Sequence, residues 1–184
     1  MKRFGFRPRH AVAAAVLPAV AAVAGIVHAS GSRALSVAEI EAAQAAWGEG
    51  IVRIGSAMLS DGDPASVARE HIASLYAYEH GPVLFKPTKA AQDQFRGSFD
   101  EALSYFVGGS IAEDSGFALQ PWTRVRFENE AVRVHGDTAS AMGNYYFTTT
   151  DGTEVKVEYT FGYVADDAGN PRIYLHHSSL PYNG

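Results

Sequence analysis

The spacing of hydrophobic and polar positions changes about two-thirds of the way along the chain. Between residues 36 and 107, apolar residues recur every three or four positions, which is the period of an amphipathic helix. From residue 123 onward, runs rich in valine, tyrosine, phenylalanine and threonine are separated by short turn sequences, as in consecutive strands. Helices followed by strands predict an α+β fold.

Three helices are predicted in the first part of this pattern. Capping boxes at Ser36-Val37-Ala38-Glu39 and Ser98-Phe99-Asp100-Glu101 open the first and the third. Asp63-Pro64 is typical of an N-cap followed by the first helical residue, so it opens the second. We expect the second helix to continue to a break at Gly81-Pro82, and Val83-Leu84-Phe85 to form a short strand after it.

Four longer strands are predicted in the second part. The turns between them contain His135-Gly136-Asp137 and Asp151-Gly152, which favour tight reversals of the chain. We therefore expect an antiparallel meander whose strongly curved sheet wraps on the helices, giving a cone-shaped domain with a pocket. The predicted strands are Thr123 to Val134, Thr138 to Thr148, Val155 to Ala165 and Arg172 to Ser179.

The first 29 residues resemble a secretory signal peptide. A basic start is followed by the alanine-rich apolar run from Ala11 to Val27 and by the small-residue site Val27-His28-Ala29. The run is too short and too rich in alanine to predict a membrane span, although an uncleaved anchor is the alternative. We predict a signal peptide at residues 1–29, a single domain at 30–184, and a periplasmic or secreted protein without stable membrane association after cleavage.

Charge and cysteine content exclude several classes of function. The formal net charge of the chain is −5, and it is more negative without the first 29 residues, which contain basic but no acidic side chains. A net acidic domain is a poor nucleic-acid binder, so we expect no nucleic-acid partner. The chain contains no cysteine, which excludes disulfides, thiolate nucleophiles and cysteine metal ligands.

The last predicted strand carries the most unusual polar cluster, His176-His177-Ser178-Ser179. Because successive strand residues point to opposite faces, each face receives one imidazole and one hydroxyl. A buried polar pair needs hydrogen-bond partners or a function. The simplest explanation of the cluster is a set of hydrogen bonds that closes the edge of the sheet.

Three kinds of chemistry are conceivable for these residue types. Zinc is disfavoured because adjacent strand residues cannot easily bind one metal, although His71 or a carboxylate could complete a site from a distance. A serine nucleophile is disfavoured because the sequence lacks a Gly-x-Ser-x-Gly elbow. General acid–base catalysis by one histidine, with hydroxyls placing a water or a small substrate, fits these residue types best.

Besides the terminal His-His-Ser-Ser-Leu-Pro-Tyr run, four segments of the predicted domain are specific when taken together: Val83-Leu84-Phe85-Lys86-Pro87-Thr88, Ala102-Leu103-Ser104-Tyr105-Phe106-Val107-Gly108-Gly109, Ala141-Met142-Gly143-Asn144-Tyr145-Tyr146-Phe147 and Val155-Lys156-Val157-Glu158-Tyr159-Thr160-Phe161-Gly162-Tyr163. With these segments the chain resembles the iota-class carbonic anhydrases over nearly the whole predicted domain, from about Val37 to Tyr182. The wider superfamily has a cone-shaped α+β fold, shared with the association domain of calmodulin-dependent kinase II and with ketosteroid-isomerase-like proteins.

The resemblance implies reversible hydration of carbon dioxide to bicarbonate, without a bound metal or other cofactor, in a protein that pairs as a homodimer. It implies four catalytic residues: Thr88, Tyr105, His177 and Ser179. The hydroxyls would hold a water and stabilise the oxygens of carbon dioxide, and His177 would accept the proton. His176 with Ser178 is the alternative inner pair, because one sequence does not fix strand parity.

Two other readings of the function stay open at this point. The domain could bind a small molecule or assemble partners without catalysis, as association domains do. Alternatively, it could be a zinc-dependent anhydrase that uses His176 or His177 with distant ligands. The non-catalytic domain would differ from the metal-free enzyme in lacking activity, and the zinc enzyme would differ from it in containing metal.

Overall fold

The computed structural model describes Met1 and residues 33–184, so the predicted signal peptide, apart from Met1, lies outside the described residues. Within the described part of the chain, no helix is long and apolar enough to cross a membrane. The α+β fold is confirmed: three helices precede four long strands. The elements are α1 (Val37–Leu59), α2 (Pro64–Leu75), β1 (Leu84–Lys86), α3 (Phe99–Val107), β2 (Arg124–His135), β3 (Thr138–Thr148), β4 (Glu154–Ala165) and β5 (Pro171–Ser179).

The predicted helix starts are confirmed. The Ser36 side chain accepts the N–H of Glu39 at the start of α1, and Ser98 accepts that of Glu101 at the start of α3. The side chain of Asp63 caps α2 directly before the proline at its first position. These caps satisfy backbone N–H groups that have no partner within the helix.

The second helix ends earlier than predicted. It stops at Leu75, because Tyr76 is extended and forms a parallel bridge with Ile173 of β5. The predicted continuation to Gly81 is therefore wrong, and Tyr78 lies in a short 3₁₀ helix instead. Pairing with the sheet outweighs helix propensity here and places the ring of Tyr76 in the interior.

The sheet is mixed, with the strand order β1-β5-β4-β3-β2. The four long strands form the predicted antiparallel meander. One edge of the sheet lies outside this meander, where β1 pairs parallel to β5 with Phe85 opposite His176. This pair joins segments 91 residues apart, and local periodicity carries no information about such a contact.

One face of the sheet packs on the helices, and Trp47 of α1 lies at the centre of this core. Its ring contacts aromatic side chains of the other two helices and of all four long strands, and it is almost completely buried. Gly50 of α1 leaves a notch for the imidazole of His71, since a Cβ atom at residue 50 would lie 2.0 Å from His71 Nδ1. The other face of the sheet is not covered by the helices.

Candidate active site

A bulge in β5 decides which histidine and which serine face the core. Ile173 is buried, and regular alternation from it would turn residues 175, 177 and 179 inward. The register instead shifts by one residue, because Tyr163 pairs with Ile173 and Gly162 pairs with Leu175. Tyr174 is the extra residue. After the bulge, His176 and Ser178 face inward and are 2% and 3% exposed.

The predicted parity of the last strand is therefore wrong. His177 is exposed and Ser179 is half-buried, and both lie on the outer face of the sheet. They line a surface cleft of about 370 Å³ that also contains Glu130 and Glu158. The hydroxyl of Ser179 donates to Glu158 at 3.1 Å. The structure does not bring either residue together with Thr88 and Tyr105.

The inner imidazole of His176 is fixed on several sides. Its ring stacks on Phe85 of the neighbouring strand at a centroid distance of 4.3 Å, and Phe161 packs edge-on at 4.3 Å. The Tyr76 hydroxyl lies 2.8 Å from His176 Nδ1 and accepts the indole N–H of Trp47 at 2.8 Å. Because the indole of Trp47 can only donate, the Tyr76 hydroxyl must donate its own hydrogen to Nδ1 of His176. The hydrogen of the neutral imidazole therefore lies on Nε2.

The Tyr145 hydroxyl lies beside Nε2 of His176 and gathers two further hydroxyl groups around itself. The Tyr145 hydroxyl lies 3.5 Å from this nitrogen and also contacts the side chains of Ser178 and Thr88. Tyr145 comes from β3, Ser178 from β5, and Thr88 from the loop after β1. The sequence analysis did not single out Tyr145, although it lies in one of the segments that carry the resemblance.

Tyr105 contributes a fourth hydroxyl from α3. Its ring stacks on Phe117 and packs edge-on against Phe85, which fixes its direction. Its hydroxyl faces the backbone of Lys89 and Thr88. The predicted residues Thr88 and Tyr105 thus lie together, with the inner rather than the outer pair of β5.

Burial keeps these groups neutral. It lowers the pKa of His176 well below the ordinary value of 6.5, and the neighbouring His177 and His71 lower it further. It also raises the pKa of Tyr145 and of Tyr105, despite hydrogen bonds that oppose the shift. The site therefore offers neutral hydrogen-bond donors and acceptors in a low-dielectric interior, where they act more strongly than in water.

The described residues do not form a metal centre. No group of three or more histidine, aspartate or glutamate side chains among them is arranged to hold a metal ion. His176 and His177 point to opposite faces of the sheet, and His71 lies on the helical side with neither ring nitrogen hydrogen-bonded. A zinc site built from these histidines does not fit this geometry.

Comparisons with known proteins place this arrangement in a family. The family model of the metal-independent carbonic anhydrases matches residues 38–180. A metal-independent carbonic anhydrase of Nostoc sp. (strain PCC 7120) is 43% identical over 156 residues, which cover 82% of this chain and 76% of that protein.

Solved structures agree with this assignment. The crystal structure of a cyanobacterial iota-carbonic anhydrase complexed with bicarbonate has a TM-score of 0.80 and 41% identity, covering 83% of this chain and 96% of that one. A putative calcium/calmodulin-dependent protein kinase II association domain from Xanthomonas campestris shares the fold, with a TM-score of 0.54 and 24% identity over 79% of this chain and 88% of that one. The predicted resemblance is confirmed, and the chain belongs to the metal-independent carbonic anhydrase family.

Proposed function

We propose that this protein hydrates carbon dioxide reversibly to bicarbonate in the interior site formed by Thr88, Tyr105, Tyr145, His176 and Ser178. The observation that carries the proposal is the cluster of hydroxyls around Tyr145, beside a buried imidazole. The Tyr145 hydroxyl reaches His176 Nε2 at 3.5 Å and contacts Ser178 and Thr88 as well. The aromatic rings around the imidazole supply an apolar wall suited to carbon dioxide.

The hydroxyls have the main chemical role in this proposal. Hydration places negative charge on the oxygens of carbon dioxide as water adds to carbon. Hydroxyl groups of Thr88, Tyr105 and Ser178 donate hydrogen bonds to these oxygens, and preorganised donors of this kind stabilise a transition state by several kcal/mol. Holding water and carbon dioxide in contact lowers the entropic part of the barrier.

His176 acts as an oriented hydrogen-bond donor in this scheme. Because burial holds its pKa well below 6.5, the imidazole is a weak base at neutral pH. Its Nε2–H is directed at the Tyr145 hydroxyl, while Tyr76 holds Nδ1. The proton released from water leaves along the hydroxyls to Thr88, the half-buried member of the set, and passes from there to solvent water. Each hydroxyl accepts one proton and donates another.

A stopped-flow assay with a pH indicator tests the site. Thr88→Val and Tyr145→Phe keep the shape of each side chain and remove its hydroxyl. We expect each to lower kcat/KM for hydration by about 10-fold or more. Parent-like rates in both variants, with folding verified by circular dichroism, would contradict the proposed site.

The homodimer is also a proposal, and we assign it to the outer face of the sheet. This face carries the cleft at His177 and a neighbouring groove of about 640 Å³ lined by Leu84, Phe95 and Leu175. The two concavities share Thr160 and His177, so they form one continuous surface. Leu84, Phe95 and Met142 are more than half exposed there, and a second copy would bury them.

Sedimentation analysis tests this pairing. We expect the parent to sediment as a dimer and Met142→Lys, on the outer face of β3, to shift it toward the monomer. Leu59→Lys, an equally exposed apolar position at the end of α1, is the control and should leave the dimer intact. A monomeric parent at tens of micromolar protein would contradict the proposal.

Export remains a proposal supported by the sequence of residues 1–29. The basic start, the apolar run and the small residues before residue 30 support cleavage by a signal peptidase, and a domain without cysteine needs no disulfide formation after export. We expect the periplasmic or extracellular fraction to contain a chain that begins near Ser30. N-terminal sequencing checks this, and an intact N terminus in the cytoplasm would contradict it.

A further inference from the structure

The loop that carries Thr88 contains neither helix nor strand, yet it must hold a catalytic hydroxyl in place. It spans residues 87–98 and joins β1 to α3. Loops without regular structure are more mobile than the elements they join unless specific contacts fix them. This loop is fixed at two points by two consecutive acidic residues, Glu113 and Asp114.

The first point is a buried ion pair. The guanidinium of Arg96 is completely buried, and it donates from Nη2 to Asp114 Oδ1 at 2.6 Å and from Nε to Asp114 Oδ2 at 3.3 Å. Its Nη1 donates to the backbone carbonyls of Asp93 and Phe95. These bonds fix the end of the loop that precedes α3.

The second point is a carboxylate held by three successive backbone amides. Glu113 accepts the N–H groups of Ala91 at 3.0 Å, Gln92 at 3.1 Å and Asp93 at 2.8 Å. Hydrogen bonds from the backbone of Gln92 and Ala91 hold the pKa of Glu113 below its ordinary value, so it is ionised at neutral pH. Consecutive amides that point at one anion form a compact anion-binding concavity.

The segment that carries both acids is itself attached to α3. The N–H of Ile111 donates to the Ser104 hydroxyl at 3.0 Å, and Ser104 directly precedes Tyr105. Glu113 therefore connects the helix that bears Tyr105 with the loop that bears Thr88. The Tyr105 hydroxyl faces the backbone of Thr88 and Lys89, which lies shortly before the amides that Glu113 binds.

We propose that Glu113 is a positioning residue for carbon dioxide hydration. By binding the amides of residues 91–93, it fixes the position of Thr88 relative to Tyr105. The inference rests on the proposed site, because it concerns the placement of Thr88. Glu113 does not touch the hydroxyl cluster itself and its side chain is 21% exposed. Arg96 and Asp114 are unsuitable for a test, since removing either breaks a buried ion pair and destabilises the fold.

The test compares Glu113→Ala and Glu113→Gln with Thr88→Val and Glu39→Ala. Glu39 is the matched control, because it is also a carboxylate that accepts a backbone N–H, but at the start of α1. We expect Glu113→Ala to lower kcat for hydration at least 10-fold with a melting temperature close to that of Glu39→Ala, and Glu113→Gln, which retains an acceptor oxygen, to recover part of the loss. Added formate, a free carboxylate, should raise the activity of Glu113→Ala but not of the parent.

Hydrogen exchange supplies a second measurement on the same proteins. The amides of residues 91–93 should exchange faster in Glu113→Ala than in the parent, whereas Glu39→Ala should not change them. Parent-like kcat for Glu113→Ala beside a strongly impaired Thr88→Val would overturn the positioning role and leave the site intact. Parent-like activity of Thr88→Val would instead overturn the site, and an equal loss of kcat in Glu113→Ala and Glu39→Ala would assign the effect to stability alone.

Discussion

The hydroxyl of Tyr76 lies 2.8 Å from Nδ1 of His176, deep in the interior and 100 residues away along the chain. Tyr76 reaches this position only because α2 ends one residue before it and the chain turns extended to pair with β5. The indole N–H of Trp47 occupies the same hydroxyl oxygen. This contact fixes the ring of His176, and through it the direction of the nitrogen that faces the site.

Removing the Tyr76 hydroxyl should affect both stability and catalysis. Tyr76→Phe leaves the Trp47 N–H and His176 Nδ1 buried without a partner, at a cost of about 1–3 kcal/mol in the free energy of unfolding. We expect kcat/KM to fall by about 10- to 100-fold because the imidazole loses its orientation. Urea denaturation and stopped-flow hydration measure the two effects. Tyr182→Phe, at a residue 92% exposed, is the control and should change neither.

A side chain at residue 50 should strongly destabilise the fold. In Gly50→Ala the new methyl group would lie 2.0 Å from Nδ1 of His71, which is enclosed by Trp47 and Phe106. We expect a loss of about 3 kcal/mol, at the upper end for overpacked cores. The double variant with His71→Ala should regain part of this loss. Denaturation of the parent, the two single variants and the double variant should therefore show that the double variant loses less stability than the two single losses combined. Additive losses would contradict the steric explanation.

Acid should destabilise the protein through its two buried histidines. Burial lowers the pKa of His71 to about 3, with the charge of Arg53 acting in the same direction, and lowers that of His176 well below 6.5. Both are neutral in the folded chain, but an unfolded histidine binds a proton below about pH 6.5. Stability is therefore fully present above that pH and falls as the pH drops toward 3.

Unfolding free energies measured between pH 7 and pH 5 check this dependence. The slope contributed by the two histidines should approach about 2.7 kcal/mol per pH unit at its steepest. His71→Leu should remove about half of it. A slope unaffected by His71→Leu would contradict the assignment.

Metal removal should leave the activity intact. The family is metal-independent, and the four hydroxyls and the imidazole of the proposed site need no ion to stabilise charge. After exhaustive chelation we expect the parent rate in stopped flow, with a metal content far below one ion per chain by mass spectrometry of the same sample. Loss of activity that returns only with added zinc would favour the metal-dependent alternative. A protein inactive before and after chelation, but stably oligomeric, would favour a non-catalytic association domain.

Local sequence signals predicted the helices and the long strands well, because each carries its own evidence in caps, turns and periodicity. The capping boxes at Ser36 and Ser98 and the turn at Gly136 are contacts between near neighbours. The parallel pairing of β1 with β5 and the early end of α2 depend on partners about 90 to 100 residues away. No local pattern encodes such partners.

The candidate site shows the same division more sharply. Thr88 and Tyr105 were predicted from the motifs that contain them, and the structure brings them together. The choice within His176-His177-Ser178-Ser179 failed because one extra residue, Tyr174, shifts the strand register. Tyr145 was missed because its neighbours in the proposed site are distant in sequence, two on β5 and one in the loop after β1.

The most direct test of the central claim compares the two serines of the last strand. Ser178→Ala and Ser179→Ala are the same chemical change on adjacent residues that face opposite sides of the sheet. In stopped-flow hydration we predict that Ser178→Ala lowers kcat/KM by about 100-fold while Ser179→Ala retains the parent value. Parent-like activity of Ser178→Ala together with a large loss in Ser179→Ala would contradict the interior site.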